Sequence, residues 1–278
     1  MRKLLLTLLL AVPAAAFAQN TYNEGTSFGA RATVEADAKV AKGLHVTAHE
    51  EFRWYSAGND LLRSYTGVGV EYKVLSFLKV GAEYELINRY KLESKDWTQR
   101  HRGNFFLTGT YKTTDWQFGL KETFRVTHRP GEMNTLQAPR NALALKSKVS
   151  VKYLGLGSVV PYAGFEVKTA LNDARFYAEA NPYATEDTPK KDLFKNEKFL
   201  GYDCSYVSRL RAQLGVTVKF DKHHALDFYL LGDHYKDREI DTNKEGSDSW
   251  KENGLVLKSI DWYTGNLISA GVGYKWSF

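Results

Sequence analysis

The sequence contains little cysteine and little proline, with one Cys and 6 Pro in 278 residues. The single cysteine, Cys204, excludes an intramolecular disulfide. No long apolar run follows residue 18, and the mean hydropathy is −0.42, which excludes a bundle of membrane-spanning helices. The net charge of +6 is too small to indicate a nucleic-acid-binding protein. Disorder is excluded as well, because the 17 Tyr and 15 Phe are spread along the chain.

The common catalytic motifs are also missing. The sequence has no GxSxG, HExxH or P-loop motif and no cysteine pair with metal-ligand spacing. We therefore expect no enzymatic activity, no metal and no cofactor. A barrel enzyme at the outer rim is kept as an alternative, with His101 or His234 and a partner from Ser208 or Asp233. For four further histidines the favoured interpretation is a solvated turn or lumen position, and these are His45, His49, His223 and His224.

The N-terminus has the pattern of a secretory signal peptide. Arg2 and Lys3 precede an apolar run that ends in small residues at Ala14–Ala18. A basic region, an apolar core and an A-x-A-like end define such a peptide. Cleavage after Ala18 divides the chain into a signal peptide, 1–18, and a mature domain, 19–278.

The C-terminal segment alternates strictly between apolar and small or polar residues. The apolar positions are Ile268, Ala270, Val272, Tyr274, Trp276 and Phe278. A period of two predicts a strand with one apolar and one polar face. The segment resembles the closing strand of bacterial outer-membrane barrels, whose final aromatic residue is read by the barrel-assembly machinery. That resemblance makes Phe278 the expected assembly signal.

The same alternation recurs in eleven segments, and no stretch shows sustained helical periodicity. The segments lie at 28–40, 44–54, 62–74, 78–90, 100–111, 115–127, 141–153, 159–170, 206–220, 224–238 and 264–278. Tight connections alternate with long ones, such as 171–205 and 239–263. Short turns at one end and long loops at the other are typical of an outer-membrane barrel. We predict an all-β, single antiparallel up-and-down transmembrane barrel rather than a soluble sandwich, whose polar faces would meet water.

The number of segments conflicts with a general property of such barrels. Single-chain bacterial barrels have even strand numbers, with both termini in the periplasm. We therefore expect about twelve strands, with about ten as the fallback. The best places for an additional strand are residues 20–28 and the connection 239–263.

Several short motifs resemble an uncharacterised family of outer-membrane proteins, the domain of unknown function numbered 2490, common in Bacteroidetes. The motifs are Glu35 in an alternating first strand and residues 42–46, 50–54, 78–84, 100–102, 209–211 and 222–227. The resemblance covers essentially the whole mature chain, although the connection 171–205 is longer than expected for the family. It implies an outer-membrane location and no known activity, so no functional residues are carried over.

Charged residues occupy the polar face of most segments. The lumen-lining candidates are Arg53, Arg63, Arg89, Arg100, Arg102, Arg125, Arg209, Arg211, Glu51, Glu71, Glu83 and Glu85, and further inward charges are Arg31, Lys146, Lys168, Glu166 and Asp233. Charges inside a narrow barrel must pair or stay hydrated. A salt-bridge network that fills the lumen is favoured over a hydrated path that prefers anions. The reason is size, because such a barrel lies between filled eight-stranded barrels and open porins.

Together these patterns predict a monomeric outer-membrane protein of a Gram-negative bacterium. The favoured function is a structural or ligand-binding barrel whose connection 171–205 meets an external ligand. A narrow anion-preferring diffusion channel is the first alternative, and an enzyme acting on lipid or peptide at the outer rim is the second. The expected partners are outer-membrane lipid, the barrel-assembly machinery and a small solute or extracellular ligand, and no nucleic acid.

Overall fold

Strands with one apolar and one polar face close into a barrel of eleven members. The computed structural model describes residues 21–55, 60–91, 95–183, 185, 188–189 and 192–278, so the expected signal peptide lies outside the described residues. The strands are β1 Thr21–Ala41, β2 Leu44–Tyr55, β3 Asp60–Leu75, β4 Leu78–Lys91, β5 Asp96–Lys112, β6 Trp116–His128, β7 Asn141–Tyr153, β8 Val159–Ala180, β9 Phe194–Lys219, β10 His224–Thr242 and β11 Leu257–Ser277. One short helix, α1, spans Asp248–Asn253. Within these ranges no helix has the length and apolar character needed to cross a membrane.

The barrel closes through a parallel pair. Each strand is antiparallel to its neighbours in the chain, but β1 and β11 run in the same direction, from Thr21 opposite Trp262 to Asp37 opposite Ser277. An odd number of up-and-down strands requires this closure, because the first and last strands then point the same way. The predicted closed barrel of about twelve strands is confirmed, with eleven as its count.

The additional strand that we expected at 20–28 or 239–263 is not present among the described residues. Residues 21–28 begin β1, and residues 239–242 and 257–263 lengthen β10 and β11. The parallel closure also places the start of β1 at the long-loop end and Phe278 at the tight-turn end. The expectation that both ends of the barrel domain lie on one side was therefore wrong.

The two faces of the wall have opposite polarity. Large apolar side chains point outward and remain exposed, with Phe28 at 59%, Leu214 at 64% and Leu230 at 60%. Their sequence neighbours point into the lumen, so that Leu231 beside Leu230 is only 4% exposed. Because strand side chains alternate, each strand contributes to both the apolar outer surface and the charged interior.

The turns at one end are short and locally stabilised. Gly43 adopts φ +77° between β1 and β2, a left-handed conformation that favours glycine. Between β9 and β10, the backbone N–H groups of His223 and His224 donate to Asp221 Oδ1 at 2.6 and 2.8 Å. These hydrogen bonds favour the ionised carboxylate and lower the pKa of Asp221.

The long-loop end holds a small apolar core. The cluster comprises Leu136, Ala174, Phe176, Ala178, Phe194, Ile240, Leu257 and Ile260. Most of these residues belong to the ends of β8, β9, β10 and β11, which extend past the rest of the barrel. Much of the connection 171–205, expected as a loop, is therefore strand, because residues 171–180 and 194–205 pair as a hairpin with register shifts.

The connection between β6 and β7, residues 129–140, folds over this end of the barrel, and we name it the cap loop. Leu136 enters the apolar cluster. Asn134 Nδ2 donates to Thr242 Oγ1 at 3.1 Å, and Tyr202 Oη donates to the carbonyl of Thr135. The cap loop is thus attached to β9 and β10, which are not adjacent to β6 or β7 in the sheet.

Glycines on the inner face make room for rings on neighbouring strands. A Cβ atom on Gly271 of β11 would lie 2.1 Å from Cζ of the Tyr229 ring on β10, closer than any packing permits. By contrast, a Cβ atom on the outward Gly232 of β10 would meet nothing within 4 Å. Glycine at position 271 is therefore a packing requirement.

We expect Gly271→Ala to destabilise the refolded barrel by about 1–3 kcal/mol, because the Tyr229 ring must leave its position. The measurement is urea-induced unfolding in detergent, followed by tryptophan fluorescence. Gly232→Ala is the matched control and should unfold at the wild-type midpoint. Equal midpoints for the two variants would show that the ring does not depend on Gly271.

Candidate functional site

A belt of charged side chains crosses the lumen at mid-height. It consists of Arg31, Glu51, Arg53, Glu85, Arg102, Arg125, Lys146, Glu166, Arg211 and Asp233, joined by the polar Tyr65 and Asn104. Every strand from β1 to β10 contributes at least one member. The strand alternation explains the arrangement, because each member occupies an inward position of its strand.

Asp233 on β10 anchors one part of the belt. The Arg211 guanidinium donates to both carboxylate oxygens, with Nε–Oδ1 at 2.6 Å and Nη2–Oδ2 at 2.9 Å. This is the bidentate geometry that makes arginine–carboxylate pairs strong. Arg31 Nη2 lies 3.6 Å from the same carboxylate, and its Nη1 lies 3.6 Å from Glu51. Asp233 and Arg31 are 3% and 4% exposed, so the pairs are screened little by solvent.

The belt continues in both directions from this anchor. Along β8 and β7, Glu166 lies 2.9 Å from Lys146 and 3.9 Å from Arg211. Along β2, Arg53 pairs with Glu51 at 2.5 Å. The Arg53 guanidinium also stacks over the Tyr65 ring of β3, with Cζ 3.9 Å from its centroid.

Glu85 on β4 organises the remaining side. It accepts from Arg102 at 3.0 Å and from Asn104 at 3.2 Å. Asn104 in turn accepts from Arg125 Nε at 2.8 Å, and the Arg102 guanidinium lies 5.5 Å from the Tyr65 ring centroid. On this side of the wall three cations follow one another, Arg102, Arg125 and Lys146 on β5, β6 and β7. The Asn104 amide links Glu85 to Arg125.

The belt separates two chambers of the lumen. The loop-side chamber has a volume of about 410 Å³ and lies between the belt and the cap loop, whose Gln137 and Ala138 help to line it. The turn-side chamber has a volume of about 370 Å³ and includes Lys121, Lys152 and Asp227. The two chambers share no lining residue among those described.

His49 on β2 lies against two carboxylates of β4. Its Nδ1 is 3.3 Å from Glu83 Oε1, and its Nε2 is 3.6 Å from Glu85 Oε1. One donor atom from each of the three residues could reach a common cation. However, Glu85 already accepts from Arg102 and Asn104, so a metal would compete with an existing arginine pair. The set is best described as part of the charged lining.

The histidines predicted to occupy turn or lumen positions, apart from His49, are accounted for by hydrogen bonds. His45 Nδ1 lies 2.8 Å from Asp37 Oδ1 on β1. His223 Nδ1 lies 2.6 Å from the Ser277 carbonyl, and His224 Nδ1 lies 2.6 Å from Tyr274 Oη. Each ring thus ties a strand or turn to its neighbour at the tight-turn end.

Most of the predicted lumen residues come together at the belt or the loop-side chamber. The chamber is lined by Arg53, Arg63, Arg89, Arg100, Arg102, Arg125, Arg209, Arg211 and Glu85. Glu51 lies in the belt, and Glu83 faces His49. Glu71 lies apart, nearer the tight turns, where Lys79 Nζ donates to it at 2.5 Å.

Phe278, the expected assembly signal, sits at the tight-turn end. Its ring is 59% exposed and lies 4.8 Å from the Trp276 ring. Its backbone N–H donates to the Asp37 carbonyl at 2.9 Å, so the last residue takes part in the closing pair. Its role in assembly stays a prediction.

The wall separates the residues considered for a rim enzyme. His234 is exposed on the outer face of β10, whereas its neighbour Asp233 is buried in the belt. His101 is hydrogen-bonded to the half-exposed Tyr84 at 2.6 Å, and Ser208 is 4% exposed on the inner side of β9. None of the suggested pairs of His101 or His234 with Ser208 or Asp233 is formed, because strand alternation puts the partners on opposite faces.

Two belt members and the cap loop were not identified from the sequence. Tyr65 and Asn104 carry no charge, yet they occupy the same inward alternation as Arg63 and Arg102. Extending the inward pattern to uncharged polar residues would have found them. The cap loop carried no such signal, because its contacts to Thr242 and Tyr202 join residues far apart in sequence.

Comparisons of the chain with protein-family models and with curated proteins gave no match. The resemblance to the family of unknown function described above therefore stays a prediction.

Removing the Asp233 charge should destabilise the barrel strongly. In Asp233→Asn, Arg31 and Arg211 lose the carboxylate that they share inside the wall, and breaking such a buried pair costs about 3–5 kcal/mol. The measurement is the urea midpoint of the refolded protein in detergent.

Asp248→Asn is the control for this measurement, since it breaks an exposed pair with Lys251 at 3.2 Å. Exposed pairs contribute little to stability, so its midpoint should equal that of the wild type. A wild-type midpoint for Asp233→Asn would contradict the structural role assigned to the belt.

Proposed function

We propose that the protein is a monomeric outer-membrane β-barrel of a Gram-negative bacterium, with a closed lumen that serves structure or ligand binding. The ion-paired belt beneath the cap loop is the observation that supports a closed lumen. Catalysis has no place in this proposal, because the candidate rim residues lie on opposite faces of the wall.

The polarity of the wall supports the membrane location. A soluble protein rarely exposes a large continuous apolar surface, but here apolar residues such as Val34, Val68 and Leu120 are 57%, 55% and 50% exposed on different strands. From Leu44 to Trp54 a strand tilted by about 40° rises about 25 Å. That height equals the apolar band of outer-membrane barrels, about 25 Å.

Aromatic pairs at both ends of the wall support the same location. Trp116 and Tyr153 lie 4.9 Å apart near the tight turns, and Tyr90 and Trp97 lie 5.4 Å apart towards the long loops. Tryptophan and tyrosine are enriched where a barrel wall meets the membrane–water interfaces. The two sets of rings match such girdles.

The closed lumen favours a structural or binding role over diffusion. Ion conduction requires a continuous hydrated path, whereas Arg53, Arg125 and Glu166 project from β2, β6 and β8 into the same part of the lumen. The cap loop covers the chamber above them. An anion-preferring channel is the weaker alternative, since it would need both obstructions to move.

We expect the refolded protein to show no steady single-channel conductance in a planar bilayer. The double substitution Arg53→Ser and Arg125→Ser should produce conducting events, because it removes two guanidinium groups from the middle of the belt. Lys198→Ser, on the exposed hairpin outside the wall, is the control and should stay silent. Steady anion-selective conductance by the wild type would overturn the closed state and favour the channel.

The parallel closure leads to a specific orientation in the outer membrane. Residues 24–25 form a bulge at the start of β1, between Asn23 and Thr26 in the register with β11. Both residues are exposed, and exposed segments near a chain end are where insertions are best tolerated. An epitope inserted between Glu24 and Gly25 should be labelled by antibody on intact cells. An epitope inserted after Lys222, in a tight turn, should be labelled only after permeabilisation.

Tagged proteins should also fractionate with the outer membrane. Labelling of both sites on intact cells, or of neither, would contradict the proposed orientation. Recovery of folded protein in the soluble fraction would contradict the membrane location itself.

A further inference from the structure

We propose that the loop-side chamber binds a small polyvalent oxyanion of the phosphate type. The inference deepens the proposed function, because it rests on a closed lumen and names the chemistry of its ligand. The ligand is taken to be free in solution, since the barrel wall separates the chamber from lipid.

The chamber has a large excess of positive charge. Among the described residues that line it, twelve are Arg or Lys and four are Asp or Glu. Ala138 is the only aliphatic one, which excludes an apolar ligand. A volume of about 410 Å³ lies within the range of small-molecule sites.

Two of these cations have no carboxylate partner within the described part of the chain. No Asp or Glu oxygen lies within 4.0 Å of Lys168 Nζ or of the Arg129 guanidinium there. Both side chains line the chamber, Arg129 where the cap loop begins and Lys168 on β8. Both side chains are half-buried. A cation withdrawn from water without a partner is costly, and a bound anion would remove that cost.

Two of the four carboxylates that line the chamber are already paired, Glu85 with Arg102 at 3.0 Å and Glu166 with Lys146 at 2.9 Å. Asp233 serves Arg211 and Arg31, and Arg209 reaches it only at 4.0 Å. The Nε atoms of Arg129, Arg209 and Arg238 are buried without a hydrogen-bond partner among the described residues. One buried acceptor of the lining, Asp173 Oδ2, also lacks a hydrogen bond, so these three unpartnered donors outnumber it.

The chemistry of the lining selects the class of ligand. Arginine guanidinium groups present planar forks of donors that match the oxygens of phosphate and carboxylate. An ion with several charges would neutralise more of the excess than chloride, and it would offer the acceptors that are missing. A polyphosphate or a small phosphorylated molecule meets both requirements.

The turn-side chamber provides an internal comparison. Its cations are also in excess, but Lys148 Nζ donates to Gln213 Oε1 at 3.0 Å, and Lys121 Nζ lies 3.9 Å from the Phe106 ring centroid. Its carboxylate, Asp227, accepts from Tyr162 and Thr217. Fewer cations line it, and substitutions there can serve as controls.

The test is isothermal titration of tripolyphosphate into the refolded mature barrel in detergent, at constant ionic strength. The wild type should bind it, and the double variant Lys168→Gln and Arg129→Gln should bind at least tenfold more weakly. The control variant Lys121→Gln and Lys152→Gln removes the same charge from the other chamber and should bind as the wild type does. The charge-retaining variant Lys168→Arg and Arg129→Lys should keep most of the affinity.

Three results would overturn the inference. The first is no binding by a wild type that migrates as a folded barrel on a gel when the sample is not heated. The second is an equal loss of affinity in both double Gln variants, and the third is binding of a phosphorylated lipid in micelles without binding of tripolyphosphate. Circular dichroism of each variant separates lost binding from lost folding. Failure of binding leaves the conductance and fractionation results intact, so it is distinguishable from failure of the closed outer-membrane barrel.

Discussion

The interior of the barrel depends on the pairing of buried charge. Charges in a confined space are stable only when each has an opposite charge or a hydrogen bond, and the belt meets this condition around most of the wall. Asp233, Glu85 and Glu166 each accept from at least one cation within 3.0 Å. A further contact joins strands that are not neighbours in the chain, since Arg31 on β1 lies 3.6 Å from Asp233 on β10. The lumen is thereby filled at mid-height.

The odd strand number follows from a different constraint. Alternating directions around a closed sheet leave one parallel junction when the number of strands is odd, and β1 with β11 forms it over most of the length of both. Besides the backbone ladder, Lys275 of β11 pairs with Glu35 of β1 across this junction at 2.6 Å. Elsewhere the inner face of β11 carries small residues such as Ser269 and Gly271. Side chains from neighbouring strands fill the space that these small residues leave. The Tyr229 ring against Gly271 is the clearest example.

The two ends of the barrel are built differently, and the difference defines the chambers. At the tight-turn end the strands end in short loops held by side chains such as Asp221. At the other end the elongated β8–β9 hairpin and the cap loop bury an apolar cluster like that of a soluble domain. The chamber below this cluster is enclosed on both sides, by Gln137 of the cap loop and by Arg53 of the belt. Enclosure strengthens electrostatic interactions, which is the physical basis of the anion site that we propose for this chamber.

The sequence by itself determined the class of fold and the contents of the lumen. Strict alternation made Arg102 face inward and Phe105 outward, because a strand permits only these two directions. Eleven alternating segments were visible, and each became a strand. Local pattern also sufficed to find tight turns such as that at Gly43.

Only the tertiary structure decided how the barrel closes, which charges pair and where the cap loop lies. Three contacts join residues from different parts of the chain. They are the pairing of Glu35 with Lys275 at the parallel junction, the ion pair of Arg211 with Asp233 and the hydrogen bond of Asn134 to Thr242. Alternation gives the direction of a side chain but not its register around the barrel. The register of each strand depends on the closure of all eleven strands together, so only the closed sheet shows it.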